Sequence, residues 1–161
     1  MVGIVEAAAK NDGVILYPKY SAPHVRAKIS RVKGDLRDAA HALEAYYADN
    51  NAFPQPGAEF TLPPALTTPV VYYSMRLPGD RLLPGKPPLR YVLSDNGKAA
   101  LAISKGPDWE PQILPDKVPW EEIQAGWEEM QAALTLSTYD PTNGTVSPGD
   151  IYRIIQAPEK K

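Results

Sequence analysis

The feature that most constrains this fold is a single long apolar stripe that opens after Pro23. Apolar residues recur at steps of three or four, the spacing of one face of an α-helix: Val25, Ile29, Val32, Leu36, Ala39, Leu43 and Tyr46. The spacing predicts a helix over about 21–50 that ends before Pro54 and spans roughly 40 Å. Since a small domain needs less than this length, we expect part of the helix to project or to meet another subunit.

The rest of the chain predicts loops and a small antiparallel sheet. The chain has 18 prolines and 11 glycines in 161 residues, and many of them fall in 51–89, which we expect to be a long loop region. Asn96-Gly97 between two apolar runs predicts a hairpin over 90–104, because both residues tolerate positive φ. A loop and a last strand follow over 139–155.

A second amphipathic helix is predicted over 119–135. Its apolar face carries residues at steps of three and four: Trp120, Ile123, Trp127, Met130 and Leu134. No alternating series of strands and helices is present, so the predicted class is α+β, with a long N-terminal helix packed on a small antiparallel sheet and this helix added. We expect one domain over 18–157, preceded by a separate segment 1–17 and followed by a tail 158–161.

Composition removes several functional classes. The formal charge of −2 argues against a nucleic-acid binder. The absence of cysteine excludes disulfides, thiolate metal sites and cysteine nucleophiles. Two histidines leave little room for a zinc site or a catalytic triad.

Two oxygen-rich loops, 104–108 and 140–150, predict a possible calcium site. Asp108, Asp140, Asn143 and Asp150, with loop carbonyls, offer the hard oxygen ligands that calcium takes. The alternative is that Asp140 and Asn143 only form turns.

Charge is unevenly distributed between the two predicted helices. The first carries Arg26, Lys28, Arg31 and Lys33 before any acid, whereas 116–129 holds five acids, among them Glu121 and Glu122, against one lysine. Opposite patches on one molecule favour head-to-tail self-association into open arrays. The alternative is two ordinary solvated faces.

Four segments together resemble bacterial type IV pilins and the major, G-type pseudopilins of type II secretion. Residues 18–33 resemble the stretch where the pilin helix leaves the membrane. They are followed by 35–37 and by 42–54, a run that resembles the end of the long pseudopilin helix. Residues 104–108 (Ser-Lys-Gly-Pro-Asp) are similar to a Ser-x-Gly-x-Asp element of that family. Residues 139–151 resemble the C-terminal motif of a pilin-like subgroup.

The resemblance implies a structural subunit and not an enzyme. Such subunits assemble into an extracytoplasmic filament of type II secretion or a type IV pilus, in the periplasm or at the cell surface. Their partners are other pilin or pseudopilin subunits and inner-membrane components of the secretion system. Their C-terminal loops often bind calcium, which by position indicates Asp108 and Asp150. Members carry an inner-membrane anchor, and we expect 1–17 to be a degenerate or truncated remnant of it.

Two other functions stay open. One is a soluble binding or adhesin module, similar to a minor pseudopilin, that recognises a protein or ligand through Trp109, Trp120 or Trp127. The other is a hydrolase acting through Asp108 and Glu110, although no base or nucleophile accompanies them.

Overall fold

Residues 22–67, 73, 76–144 and 147–158 are described by the computed structural model. Within them the chain is α+β, as predicted. The helices are α1 (Ala22–Asn50), α2 (Trp120–Ala125) and α3 (Trp127–Leu134), and the strands are β1 (Arg90–Leu93), β2 (Ala99–Ser104) and β3 (Ile151–Gln156). Short 3-10 turns occupy Ala58–Phe60, Pro64–Thr67, Pro115–Lys117, Thr135–Ser137 and Pro141–Asn143. The predicted segment 1–17 lies outside the described residues.

Helix α1 is continuous over 29 residues and ends at Asn50, where the sequence predicts its end. Asn51 follows it with φ 53°, and its N–H donates to the Tyr47 carbonyl at 2.7 Å. Asparagine tolerates this left-handed conformation, which turns the chain away from the helix axis. Gly34 does not interrupt the helix.

The three strands form an antiparallel sheet in the order β1-β2-β3, covered on both faces. One face packs on α1, where Ala100 and Ala102 of β2 meet the helix stripe and Ile155 of β3. The opposite face, with Leu101 and Ile103 of β2, packs on α2, α3 and the segment that precedes them. Alternate side chains of a strand point to opposite faces, so β2, buried at every position, serves both cores.

The stripe of α1 is covered along its whole length. Val32 and Leu43 are fully buried, and even Val25 and Ile29, near the start of the helix, are only 7% exposed. The expectation that part of the helix projects from the domain is therefore wrong for residues 25–43, because the loops after α1 add apolar side chains to the same core. None of the described helices is long and apolar enough to cross a membrane.

The hairpin forms where Asn96-Gly97 predicts it, with one difference in its turn. Ser94 N–H donates to the Ala99 carbonyl at 2.9 Å, and Gly97 has φ 67°. Only the glycine takes positive φ. The Asn96 side chain instead accepts hydrogen bonds from Ser94 Oγ and Lys98 N, at 2.8 and 3.0 Å.

The predicted helix over 119–135 is wrong as a single element. Gly126 is extended (φ 163°, ψ 178°) and separates α2 from α3. Glycine is a poor helix former, which makes it the point of interruption. The interruption changes the phase of the helix, so Ile123, Met130 and Leu134 are buried while Trp127 is 67% exposed.

Truncating Leu36 tests the core beneath α1. Because Leu36 is 1% exposed, we expect Leu36→Ala to lower the free energy of unfolding by about 2–5 kcal/mol. Arg37→Ala, at the exposed neighbouring position, should change it by less than about 0.5 kcal/mol. Urea denaturation followed by circular dichroism measures both. Equal effects of the two variants would show that the helix is packed differently.

Candidate functional site

Chain segments with buried polar side chains converge at one end of the sheet. Arg90 begins β1 and lies opposite Ile103, whereas Ser104 ends β2 and lies opposite Ile151, the first residue of β3. In an antiparallel sheet these positions share one end. The loop after β2 and the loop before β3 therefore meet there.

Two glycines allow the loops to touch. Gly106 has φ 75° and Gly149 has φ 128°, a region that L side chains rarely adopt. A Cβ on Gly106 would lie 2.0 Å from the Gly149 carbonyl oxygen, and one on Gly149 would lie 2.4 Å from the Tyr139 nitrogen. This contact brings Gly149 close to Asp108, and the backbone N–H of Gly149 acts to lower the pKa of the Asp108 carboxyl.

Asp150 is fully buried at the centre of this junction. Its Oδ2 accepts from the backbone N–H groups of Ile113, at 2.7 Å, and Gln112, at 3.1 Å. Its Oδ1 has no hydrogen-bond partner. Burial raises the pKa of Asp150 to about 6, against the two backbone hydrogen bonds and the charge of Arg90, which lower it; the Asp108 charge adds to the increase.

Asp108 is buried beside it, and Gln112 lies between the two carboxyl groups. Gln112 Nε2 donates to Asp108 Oδ2 at 2.9 Å, while its backbone N–H donates to Asp150. Burial raises the pKa of Asp108, and the hydrogen bond from Gln112 opposes this. Gln112 Oε1 is buried without a partner, as is one guanidinium nitrogen of Arg90, whose pKa burial lowers.

A third buried carboxylate fixes the end of β2. Asp80 accepts from Ser104 Oγ at 2.8 Å and from the Lys105 N–H at 3.0 Å. Trp109 Nε1 donates to the Leu82 carbonyl at 2.8 Å and secures the same loop from its other end. The 104–108 segment is therefore held by side chains on either side of Asp108.

The structure brings Asp108 and Asp150 together but uses Asp140 and Asn143 differently. Asp140 is exposed and accepts from the N–H and hydroxyl of Thr142, at 2.8 and 2.7 Å. These bonds lower its pKa. Asn143 N–H donates to the Asp140 carbonyl at 3.2 Å, so both residues form a turn.

Asp108, Gln112 and Asp150 could ligate a cation. They present hard oxygens, and two of these, Asp150 Oδ1 and Gln112 Oε1, lack a hydrogen-bond partner. This donor set suits calcium, with Arg90 as a neighbouring positive charge that opposes binding. Among the described residues no group of three or more histidine, aspartate or glutamate side chains is arranged to hold a metal.

Neither Gln112 nor Arg90 was identified from the sequence. Gln112 lies four residues after Asp108, a spacing that has no diagnostic value in a proline-rich loop. Arg90 reads as the polar start of a strand, and its proximity to Asp150 depends on strand register. No local signal identifies either residue.

The two predicted charge patches lie on opposite sides of the sheet. Arg26, Arg31 and Lys33 are exposed on α1 and Lys28 is half-buried, while Glu121 and Glu122 are exposed on α2. In the described part of the chain the ion pair found is Arg81 with Asp35, which ties the 78–89 loop to α1. Both sets of charges face outward.

The tryptophans and the proposed acid pair also occupy different environments. Trp109 and Trp120 are half-buried and Trp127 is exposed. Glu110 is exposed whereas Asp108 is buried, and Glu110 meets Asp108 through its backbone N–H, at 3.4 Å.

Comparisons with known proteins assign the chain to no family. No family model matches it, and neither a curated protein nor a solved structure gives a significant match.

The buried carboxyl of Asp150 predicts a pH-dependent stability. Its pKa is higher in the folded state than its ordinary value of 3.8, so the folded chain binds the proton more tightly than the unfolded chain. The free energy of unfolding should therefore fall as pH rises from about 4 to about 7, by up to about 3 kcal/mol from this group.

Urea denaturation across this pH range measures the slope. Asp150→Asn should flatten it, although buried Asp80 and Asp108, whose pKa values are also raised, contribute in the same direction. Asp140→Asn, which removes an exposed carboxyl, should keep the slope. A slope unchanged by Asp150→Asn would mean that this carboxyl stays charged in the folded chain.

Proposed function

We propose that this chain is a structural pilin-like or pseudopilin subunit that assembles into an extracytoplasmic filament, for type II secretion or as a pilus. The observation that carries the proposal is the one-sided coverage of α1. One face of this long helix packs on a small antiparallel sheet, and the opposite face, with Arg26 and Arg31, is exposed. The four motif resemblances of the sequence agree with this arrangement.

The placement of the charges supports assembly in one direction. The basic residues lie on α1, and the acidic residues Glu121 and Glu122 lie on α2, which covers the other face of the sheet. Arg26 and Arg31 are exposed on one side of the sheet, and Glu121 and Glu122 are exposed on the other, so each set is available to a neighbouring copy. A contact between different surfaces of identical subunits repeats as an open array unless its rotation closes a ring.

Charge reversal tests this assembly. Arg31→Glu with Lys33→Glu should abolish the self-association that sedimentation velocity detects at low salt, because like charges then face each other. Lys86→Glu with Lys98→Glu makes the same change in net charge at exposed positions outside α1 and α2 and should leave self-association intact.

Cysteine cross-linking tests the direction of assembly. The chain has no cysteine of its own, so only the introduced cysteines can form disulfides. A variant with both Arg31→Cys and Glu122→Cys should form a ladder of oligomers on oxidation. Dimers alone, or equal association of the reversed and control variants, would contradict a head-to-tail filament.

The proposal includes calcium binding at the end of the sheet, through Asp108, Asp150 and the side-chain oxygen of Gln112. Calcium would neutralise two buried carboxylates and bind the loops on either side of the Gly106–Gly149 contact. The two backbone donors to Asp150 orient the carboxyl for that role, while the positive charge of Arg90 opposes cation binding.

Calcium titration tests this part. Isothermal titration with calcium chloride should give a saturable heat, and calcium at about 100 times its Kd should stabilise the fold by about 2.7 kcal/mol. Asp108→Asn and Asp150→Asn should remove both effects. Asp140→Asn should keep them, since that carboxylate lies in an exposed turn. Loss of calcium binding in Asp140→Asn would show that Asp140 is also a ligand, as the sequence predicts. An absence of heat with the unmodified chain would contradict the calcium proposal.

A binding module is the second candidate, and the exposure of Trp127 favours it. An indole ring that is 67% exposed next to a groove is available to a ligand. Trp109 is less suited to this role, since its indole N–H is already bonded to the Leu82 carbonyl.

A further inference from the structure

Strand β3 lies at the edge of the sheet, and its outer side has hydrogen-bonding capacity. Ala157 N–H donates to the Lys98 carbonyl at 2.8 Å, which fixes the phase of the β2–β3 ladder. In an antiparallel pair, inward-bonded and outward-pointing residues alternate. The backbone groups of Tyr152, Ile154 and Gln156 therefore point away from β2.

Just before β3, the chain pairs with another of its own segments along this outer side, and the pairing does not extend into β3. The backbone groups of Asp150 also point outward. Its N–H donates to the Ser137 carbonyl at 2.8 Å, and its carbonyl accepts from the Tyr139 N–H at 3.0 Å. Within the described residues no backbone hydrogen bond uses the outward groups of Tyr152 or Ile154. Among the residues that the structure describes, none pairs with this edge from Tyr152 onward.

A groove of about 730 Å³ follows this open edge. Its walls are α1, which contributes Lys33, and α3, which contributes Trp127 and Met130; Arg153 and Tyr152 of β3 form its floor. The groove can therefore hold an extended chain beside the strand.

The two sides of the groove differ in chemistry. Ile151 and Ile155 pack in the core beneath α1, so Arg153 between them lies on the α1 side of the sheet, with Lys33. Tyr152 and Ile154 belong to the opposite face, with Trp127. Neither Lys33 nor Arg153 makes an ion pair among the residues described.

We propose that this groove binds an extended acidic segment of a partner protein by strand addition to β3. Side chains of an added strand alternate between the two faces of the sheet. Acidic side chains on one face would meet Lys33 and Arg153, and apolar side chains on the other would meet Trp127. The ligand class is therefore a peptide that alternates acidic and apolar residues.

A second copy of this chain is a poorer occupant of the edge. β3 contains Arg153 and no acid, so pairing two β3 edges brings like charges together, which destabilises a strand pair. The inference does not need the filament proposal. It rests on the second candidate function, to which it adds a site and a ligand class.

Fluorescence anisotropy with a labelled peptide of about seven residues, alternating glutamate and valine, tests the inference. We expect saturable binding, and at least about tenfold weaker binding of the lysine–valine peptide. Lys33→Glu with Arg153→Glu should reverse this preference. Lys86→Glu with Lys98→Glu, at exposed positions outside the groove, should not alter it.

Backbone pairing is tested on both partners. Two glutamate–valine peptides are compared, one methylated on the odd backbone nitrogens and the other on the even ones. One of the two should bind about tenfold more weakly than the unmethylated peptide, because its methyl groups replace the N–H donors that face β3. Ile154→Pro should weaken binding similarly, since it removes an outward N–H that β2 does not use. Hydrogen exchange should show new protection at the Tyr152 and Ile154 amides.

Three results would overturn the inference. The first is no binding of the acidic peptide at about 1 mM, and the second is equal binding of the lysine peptide. The third is dimerisation through the β3 edge, which would make a second copy the occupant. If Trp127→Ala abolishes peptide binding while both methylated peptides bind normally, strand addition fails but a binding role of Trp127 stands.

Discussion

Burial of the α1 stripe beneath the sheet is the interaction on which the rest of the molecule depends. The helix face that carries Val32, Leu36 and Leu43 meets a sheet surface on which β2 contributes the small side chains Ala100 and Ala102. Small residues allow the helix to approach the sheet closely, and the side chains at this contact are buried. Because β2 is buried on this face and on the opposite one, the sheet must be closed by a second layer, which α2 and α3 supply.

This layering concentrates polar chemistry at one end of the sheet. The strands are short, so the loops that enter and leave them must cross the ends of both cores. Asp80, Asp108 and Asp150 are buried there and accept hydrogen bonds from neighbouring backbone groups. Each carboxylate organises a loop that has little regular structure, at the cost of desolvating a charge. The desolvation of Asp150 is the least compensated, since one of its carboxylate oxygens lacks any hydrogen-bond partner.

The same layering leaves β3 with one unpaired side. Helices α1 and α3 lie on opposite faces of the sheet. Within the described chain, the outward backbone bonds to Ser137 and Tyr139 are made by Asp150, the residue before β3. The outer edge of β3 thus becomes the floor of a groove, with different chemistry on its two walls. The filament proposal uses the exposed charges of α1 and α2, and the binding proposal uses the edge between the layers. The two share Lys33, which belongs to the basic patch and also lines the groove.

Periodicity and turn chemistry alone determined the α+β class, the extent of α1, the hairpin and the last strand, because these depend on contacts between residues close in sequence or on one repeating face. The local pattern gave the wrong result at Gly126, where an extended residue separates α2 from α3. The second helix is therefore rotated relative to the first, and Trp127 becomes exposed. The local pattern also failed to separate Asp150, fully buried, from Asp140, exposed in its own turn. The grouping of Asp108, Gln112, Asp150 and Arg90 was decided only by tertiary structure, since strand register and the close approach of Gly106 to Gly149 join residues that lie far apart along the chain.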